Sequence, residues 1–509
     1  MNRIFASICV IVLGGAQFLG AGAKAQGGET AAFSLVGSTA YNSRELLGFA
    51  ALIVAQRNGR ITANELAVAV EQIYREDGYF LAEARVAGDN RTIIIDEGEI
   101  GSVVVEGVDG PTFNLVKSFF RPVVGHRAVT LKEFERAIML VEDLEEISAV
   151  AEVEYLPGDD TATVRVIAEQ IDANRGWVTL DHPARELGEA ATLSFHQEFY
   201  SLLAPGDLLK FDLSATQDFD TGDDSLFGSF AYRTPVGGAG SFAELFLGNV
   251  AARRDATTVL VETDIEGNTA ILAFGHPVIR DVERYGYALL EIRRSETSVA
   301  AGATSFDSGV DVASLSWIFG KTMPSGGAYE YALNLSYGNR YTDPSGFDDG
   351  DDQFSHLRFG FGAEVPVALF GSGTSLRAEL WGQYSGDRLP ALEEFHLGGR
   401  EEERGYVFAE AQGDSGVSAT IELGRDLYTS GQLVRRYRPF GFVDVGYVRN
   451  NDPSAAEPGE ETLASFGLGM DLDLANEFSV RNYVALPISD GPNTESGDAT
   501  LYLSVSKSW

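Results

Sequence analysis

Four short stretches carry residue types that could do chemistry. GDSG at Gly413–Gly416 has the form of a serine-protease nucleophile turn, which works only when a histidine and an acid are brought to the serine. The six histidines (His126, His182, His196, His276, His356, His396) have no supporting context, so acyl transfer is not expected. GKT at Gly320–Thr322 ends like a phosphate-binding loop, but Leu315 stands where that loop would begin with glycine. FDDGDDQ at Phe347–Gln353 could attract a divalent cation, yet it lacks the spaced ligands and closing glutamate of a calcium loop. No histidine pair has metal-ligand spacing, and neither an enzyme, a cofactor nor a metal is expected. There remains GGREEERGYVF, Gly398–Phe408, with two arginines and three glutamates behind a pair of glycines. Alone it reads as a solvated loop. Inside a restricted space it would need a fixed opposite charge, so the surrounding elements decide.

Those elements are bounded by composition. The chain has 509 residues, a formal net charge of −37 and 57 glycines, with 31 phenylalanines and 19 tyrosines. A nucleic-acid partner requires the opposite charge. Residues 1–25 read as a secretory signal peptide: Arg3, an apolar run from Ile4 to Leu19, then a small-x-small site with cleavage expected after Ala25. The single cysteine, Cys9, lies inside that signal, so the mature chain is expected to hold neither a thiol nor a disulfide. No later segment is apolar for the ~18 residues of a spanning helix. Glycine and aromatics at near-neutral hydropathy suit a transmembrane β-barrel, in which only every second strand residue faces lipid.

Residues 26–99 and 100–170 read as two α+β units of one pattern, strand–helix–helix–strand–strand. TANE at Thr62–Glu65 and TLKE at Thr130–Glu133 each pair a capping threonine with a glutamate three residues on. Apolar stripes follow: Leu66, Ala69, Val70 and Ile73 in one, and Leu131, Phe134, Ile138 and Val141 in the other.

From residue 171 to 509 helical patterning stops. About sixteen strands are expected, centred near residues 179, 195, 212, 230, 246, 273, 291, 315, 333, 360, 380, 421, 443, 467, 482 and 504. In QFSHLRFGFGAEV, Leu357, Phe359 and Phe361 share one face, with His356, Arg358 and Glu364 on the other. In SLRAELWGQYS, Leu376, Leu380 and Tyr384 oppose Arg377, Glu379, Trp381 and Gln383. Repeated inward charge suits a wet lumen and not a sandwich core. Turns are expected to be short after the second, fourth, sixth, eighth and fourteenth strands. They should be longer after the fifth, seventh, ninth, eleventh and thirteenth, with loop 387–416 the longest. The final strand, with Leu501, Leu503 and Val505 in phase and Trp509 at its end, should close the barrel.

On these residues the chain resembles the two-partner secretion outer-membrane transporters, the haemolysin secretion/activation and filamentous-haemagglutinin exporter family of the Omp85 superfamily. The resemblance covers nearly the whole mature chain. It is most specific in LGGREEERGYVFAEAQGDSG (Leu397–Gly416) and FGFVDVGYV (Phe440–Val448). The family carries an R-G-Y/F element and a G-D-x-G turn in the first, and a strand aspartate in the second. Glu403 departs from the pattern, since a small apolar residue usually precedes the arginine. The helix that plugs many family barrels is expected to be missing, because the mature chain reaches its first strand within a few residues.

The resemblance implies a 16-stranded outer-membrane β-barrel preceded by two POTRA domains in the periplasm. By residue, Arg404 should fold into the lumen and pair with Asp444, with Gly405 turning the tip and Tyr406 packed on the wall. The partners implied are an unfolded secreted exoprotein of the β-helical class, outer-membrane lipid, and the barrel-assembly machinery during biogenesis. Exoprotein capture would use an exposed POTRA strand edge or the groove beside Leu131, Phe134 and Ile138. A barrel- or autotransporter-assembly factor of the same superfamily, and a passive porin or surface receptor, are the alternatives.

Overall fold

A computed structural model describes residues 33–58, 61–155, 161–171, 174–182, 190–219, 222–254, 261–342, 350–453 and 458–509. The signal peptide, its cleavage site, Cys9 and the place of a plug helix lie outside the described residues, as do residues 347–349 of FDDGDDQ. No described helix is long and apolar enough to cross a membrane.

The amino-terminal elements are β1 (Ser34–Val36), α1 (Ser43–Asn58), α2 (Ala63–Glu76), β2 (Glu83–Val86) and β3 (Thr92–Asp96). The same order recurs in β4 (Ile100–Glu106), α3 (Gly110–Phe119), α4 (Leu131–Glu142), β5 (Ile147–Glu154) and β6 (Ala162–Gln170). Both small sheets are wired alike, in the orders β1-β3-β2 and β4-β6-β5. Their outer strands β1 and β4 run parallel to the central ones. Both capping boxes form. The Glu65 amide donates to the Thr62 hydroxyl at 3.3 Å while the Thr62 amide donates to the Glu65 carboxylate at 3.1 Å. Glu133 and Thr130 repeat this, the Glu133 amide donating to the Thr130 hydroxyl at 3.3 Å and the Thr130 amide to the Glu133 carboxylate at 2.8 Å. Behind the first box Leu66, Val70, Ile73 and Tyr74 bury against α1 and β3.

One compact unit takes the chain up to Glu106 with Phe120–Ile138 and Val150–Ile167; the other takes Gly107–Phe119, Met139–Ala149 and Ala168–Trp509. In the first, the Glu97 carboxylate is 3 % exposed. It accepts hydrogen bonds from the Thr39 and Ala40 amides at 2.7 and 2.9 Å, from the Thr39 hydroxyl and from Tyr74 Oη at 2.6 Å. Burial alone would raise its pKa, but these donors hold it below the ordinary glutamate range. A depressed carboxylate contributes stability above its unfolded pKa and loses it as pH falls through the folded value. Glu97→Gln should therefore cost about 1–3 kcal/mol at pH 7 and flatten the loss of protection on acidification. Hydrogen exchange of residues 33–97 in the detergent-solubilised protein, at neutral pH and near pH 4, checks both.

The rest is one closed antiparallel barrel. In order its strands are β7 (Arg175–His182), β8 (Ala190–Tyr200), β9 (Leu208–Asp218), β10 (Asp224–Val236), β11 (Ser241–Arg254), β12 (Thr263–Arg280), β13 (Arg284–Ala301), β14 (Thr304–Thr322), β15 (Ala328–Arg340), β16 (Gln353–Pro366) and β17 (Thr374–Tyr384). Three short extended segments follow inside the long connection: β18 (Phe395–Leu397), β19 (Gly399–Tyr406) and β20 (Ala411–Gly413). The wall resumes with β21 (Ser415–Arg425), continued by β22 (Leu427–Tyr428), then β23 (Val434–Arg449), β24 (Glu460–Leu474), β25 (Phe478–Pro487) and β26 (Thr500–Ser508). With β21 and β22 taken as one strand, sixteen strands make the cylinder, and β26 pairs back onto β7 from Leu503↔His182 to Ser508↔Trp177. Every expected strand centre falls inside one of them.

The faces divide as the alternation requires. Leu290, Ile292, Leu315, Leu333, Leu335, Val443 and Leu468 are exposed on the outside, as lipid contact demands. His356, Gln383, Glu422 and Asp444 are buried on the inside. One loop departs from expectation. The connection after the seventh strand is a two-residue hairpin, because β13 and β14 stay paired as far as Ala301↔Thr304. Gly302, at φ +59°, makes that turn.

Candidate functional site

The site is built on the connection between β17 and β21, a strap that enters the lumen instead of standing above it. Its two arms zip together where β18 pairs antiparallel with β20, Leu397 opposite Ala411. Beyond the zip, Glu403 takes φ +40° and Gly405 φ +102°, which turns the Arg404 side chain to the wall. A Cβ on Gly405 would lie 3.1 Å from Pro487 Cδ and 3.2 Å from Ala485 Cβ, so the tip demands glycine for both backbone and space.

Arg404 is 2 % exposed and Asp444 fully buried. The guanidinium makes a two-pronged bond, Nε to Oδ2 and Nη2 to Oδ1, both at 2.9 Å, the geometry that suits a planar fork to a carboxylate. The Arg404 amide adds a third bond to Asp444 at 3.1 Å, and the Thr420 hydroxyl a fourth at 2.9 Å. Nη1 reaches Glu422 at 3.2 Å. The guanidinium carbon also sits 3.4 Å from the centre of the Phe442 ring, a favourable cation–π placement.

Glu422 is shared. It accepts from Arg438 at 2.7 Å and lies 3.6 Å from Arg481. Asp471 is 3.6 and 3.8 Å from the same two arginines. Three guanidiniums, Arg404 from the strap with Arg438 and Arg481 from the wall, thus meet three carboxylates on β21, β23 and β24, three charges of each sign. Strand alternation builds it. Ser418, Thr420 and Glu422 share the inward face of β21, and Arg438, Phe440, Phe442 and Asp444 that of β23.

Tyr406 is 1 % exposed and packs with Leu397, Val448 and Leu463. Its hydroxyl lies 2.8 Å from the Ala464 carbonyl and 2.7 Å from that of Ser489. Glu403 accepts from Ser418 Oγ at 2.6 Å and from the Gly398 amide at 3.2 Å. Gly446 makes room for it, since a Cβ there would fall 2.5 Å from Glu403 Oε1. The departure from the family pattern thus has its own polar seat.

GDSG is part of the strap's root. Asp414 accepts the amides of Leu389 at 2.5 Å and Asn451 at 2.6 Å, and Ser415 Oγ bonds the Ser385 backbone. At the barrel closure, Leu501 and Leu503 are exposed on the outside and Val505 is half-buried. Trp509 extends the seam through two backbone bonds with Gly176 and donates from its indole to Gln197 at 3.1 Å.

The helix α4 residues are not brought together as a surface. Leu131 is 37 % exposed, but Phe134 is 7 % exposed and its ring packs against Phe80 and Phe120. The apolar stripe of an amphipathic helix faces its own core, so Phe134 is corrected from a ligand-facing residue to a core residue. Glu422, Arg438 and Arg481 were not singled out by sequence. The available signal was their phase, inward on strands whose outward residues are aliphatic.

Residues 299–472 match the family of the haemolysin secretion/activation protein ShlB/FhaC/HecB, a span that holds both stretches on which the resemblance rests, with Arg404 and Asp444. Among solved structures, CdiB from Escherichia coli superposes with a TM-score of 0.77 at 17% identity, over 94% of this chain and 90% of that one. CdiB from Acinetobacter baumannii gives 0.74 at 13%, over 93% and 89%. BamA from Haemophilus ducreyi lacking POTRA domains 1–3 gives 0.53 at 14%, over 92% and 98%. A search of curated protein sequences finds no significant match.

Proposed function

We propose that this chain is an outer-membrane protein transporter of the two-partner secretion type. Its α+β units act as periplasmic POTRA domains that capture an unfolded exoprotein, and its barrel is the export pore. The observation that carries the reading is the buried Arg404–Asp444 pair, placed in the lumen by a strap within the span matching the haemolysin secretion/activation family. A barrel closed by an ion-paired internal strap is built to be opened. Among the described residues, β1 and β2 of the first small sheet and β5 of the second each pair with one neighbouring strand only, leaving an edge to which an extended chain could add by β-augmentation. Of the three helix positions considered for capture, Leu131 and Ile138 remain available. No residue performs covalent chemistry in this reading.

Co-expression with candidate large secreted proteins of the β-helical class tests it. The exoprotein should reach the medium only when the transporter is present. If instead it is secreted without the transporter, while outer-membrane barrels become depleted on removing it, the assembly-factor reading replaces export. The six-residue pairing of β26 with β7 is what favours that second reading, since assembly factors work by opening this seam.

A further inference from the structure

The strap touches the wall at a second place, on β13, β16 and β17, the last of which pairs with β21 of the Arg404 site. Its leading arm carries a 3-10 turn, Ala391–Glu393, and the Glu393 side chain is completely buried. The carboxylate meets Arg293 of β13, His356 Nε2 at 3.0 Å and Arg358 at 3.4 Å, both of β16. Its own backbone carbonyl accepts from Gln383 of β17 at 2.9 Å and from Arg358 at 3.0 Å.

The wall is shaped to receive it. By register, Arg293 lies beside Val312, Val312 beside Gly338, and Gly338 beside Phe354, one row across four strands. The Phe354 ring lies over Gly338, where a Cβ would come within 2.2 Å of it. This makes an apolar platform of Val310, Val312 and Phe354, on which Leu389 and Leu392 of the strap pack. Arginines stand at both flanks of the platform. Glu291 of β13 and Glu394 and Glu402 of the strap line the same cavity, but Glu393 is the carboxylate that contacts Arg293, His356 and Arg358 together.

We infer that Glu393 is a second, independent anchor: it clamps the strap to β13–β17 while Arg404 clamps it to β21–β23. This deepens the transporter reading, because passage through the lumen then requires both clamps to let go. It places Glu393 as a positioning residue for the strap. It also accounts for closure by a strap held at both ends.

Two buried strap positions report the anchors separately, and the mature chain is expected to have no competing cysteine. Leu389 (2 % exposed) sits on the Glu393 platform and Leu397 (0 %) in the Tyr406 cluster. In detergent-solubilised barrel, Leu389→Cys and Leu397→Cys should both resist a hydrophilic maleimide. Adding Glu393→Ala should raise labelling of Leu389→Cys by on the order of a hundredfold, as loss of a buried ion pair implies, and leave Leu397→Cys protected. Arg404→Ala should do the reverse. Continued protection of Leu389→Cys in the Glu393→Ala barrel, or simultaneous exposure of both positions, overturns the inference. Heat-modifiable migration on gels shows whether the barrel is intact. Should Glu393→Ala fail to assemble, Glu393→Gln and Arg293→Ala remove the same charge pairing from the two sides and are read identically. No exoprotein enters the assay, so a failure here leaves the export reading standing, and a failure of export leaves this result readable.

Discussion

Arg404→Ala should insert normally in the outer membrane and yet lower export about tenfold or more, with Asp444→Ala at least as severe. Breaking one partner of a buried pair leaves the other uncompensated and costs about 3–5 kcal/mol. In the Asp444 variant four donors lose their acceptor, Arg404 Nε, Nη2 and backbone amide and the Thr420 hydroxyl, and the guanidinium keeps only its 3.2 Å bond to Glu422. The barrel wall has its own ladders and does not depend on the strap, so heat-modifiable migration and surface abundance should match the parent. Secreted exoprotein per unit of transporter is the measurement. Export at parental levels by both variants would remove the clamp from the mechanism. Thr420→Val serves as the scale: it deletes one neutral bond to the same carboxylate, worth about 1 kcal/mol, and should be nearly silent.

The second large effect is expected at Glu422. Its carboxylate stands among Arg404, Arg438 and Arg481. Glu422→Gln keeps shape and some hydrogen bonding but leaves three cations against two anions in a confined lumen. The strap should loosen, and the pore should become more selective for anions, because an uncompensated guanidinium attracts them within a Debye length of ~10 Å. Reversal potential under a salt gradient in planar bilayers measures this. An unchanged potential would mean that Asp471 or solvent already neutralises the cluster.

The barrel was legible because one rule covers it. Leu357, Phe359 and Phe361 alternate with His356, Arg358 and Gly360, and lipid on one side and water on the other leave a single folding solution. The rule fails where both faces are wet. SVAAGATSFDSG, mostly small residues with only Val299 and Phe306 larger and apolar, reads as a loop, yet β13 and β14 run through it as paired strands. The Arg404–Asp444 meeting came from resemblance, since forty residues and a reversal of chain direction separate the two. Glu393 escaped because its partners lie on strands β13 and β16, and nothing local in PALEEFHL distinguishes the buried glutamate from its neighbour. Phe134 misled for the opposite reason: its pattern is clear, but a stripe says which face is covered and not by what.

Under the proposed export function, the tight turn at Gly302 bears on the path of the emerging polypeptide. β13 and β14 are 18 and 19 residues long, about 60 Å at ~3.4 Å per residue, when a membrane crossing takes about 9–11. Their outward Arg294–Asp311 pair, roofed by Tyr341, belongs in water. On this side the cylinder therefore rises well clear of the bilayer as a stiff parapet, while β17 and β21, at 11 residues each, stop near the surface. An emerging polypeptide would find a high bank on one hand and an open sill on the other, and the rim itself would steer where it begins to fold.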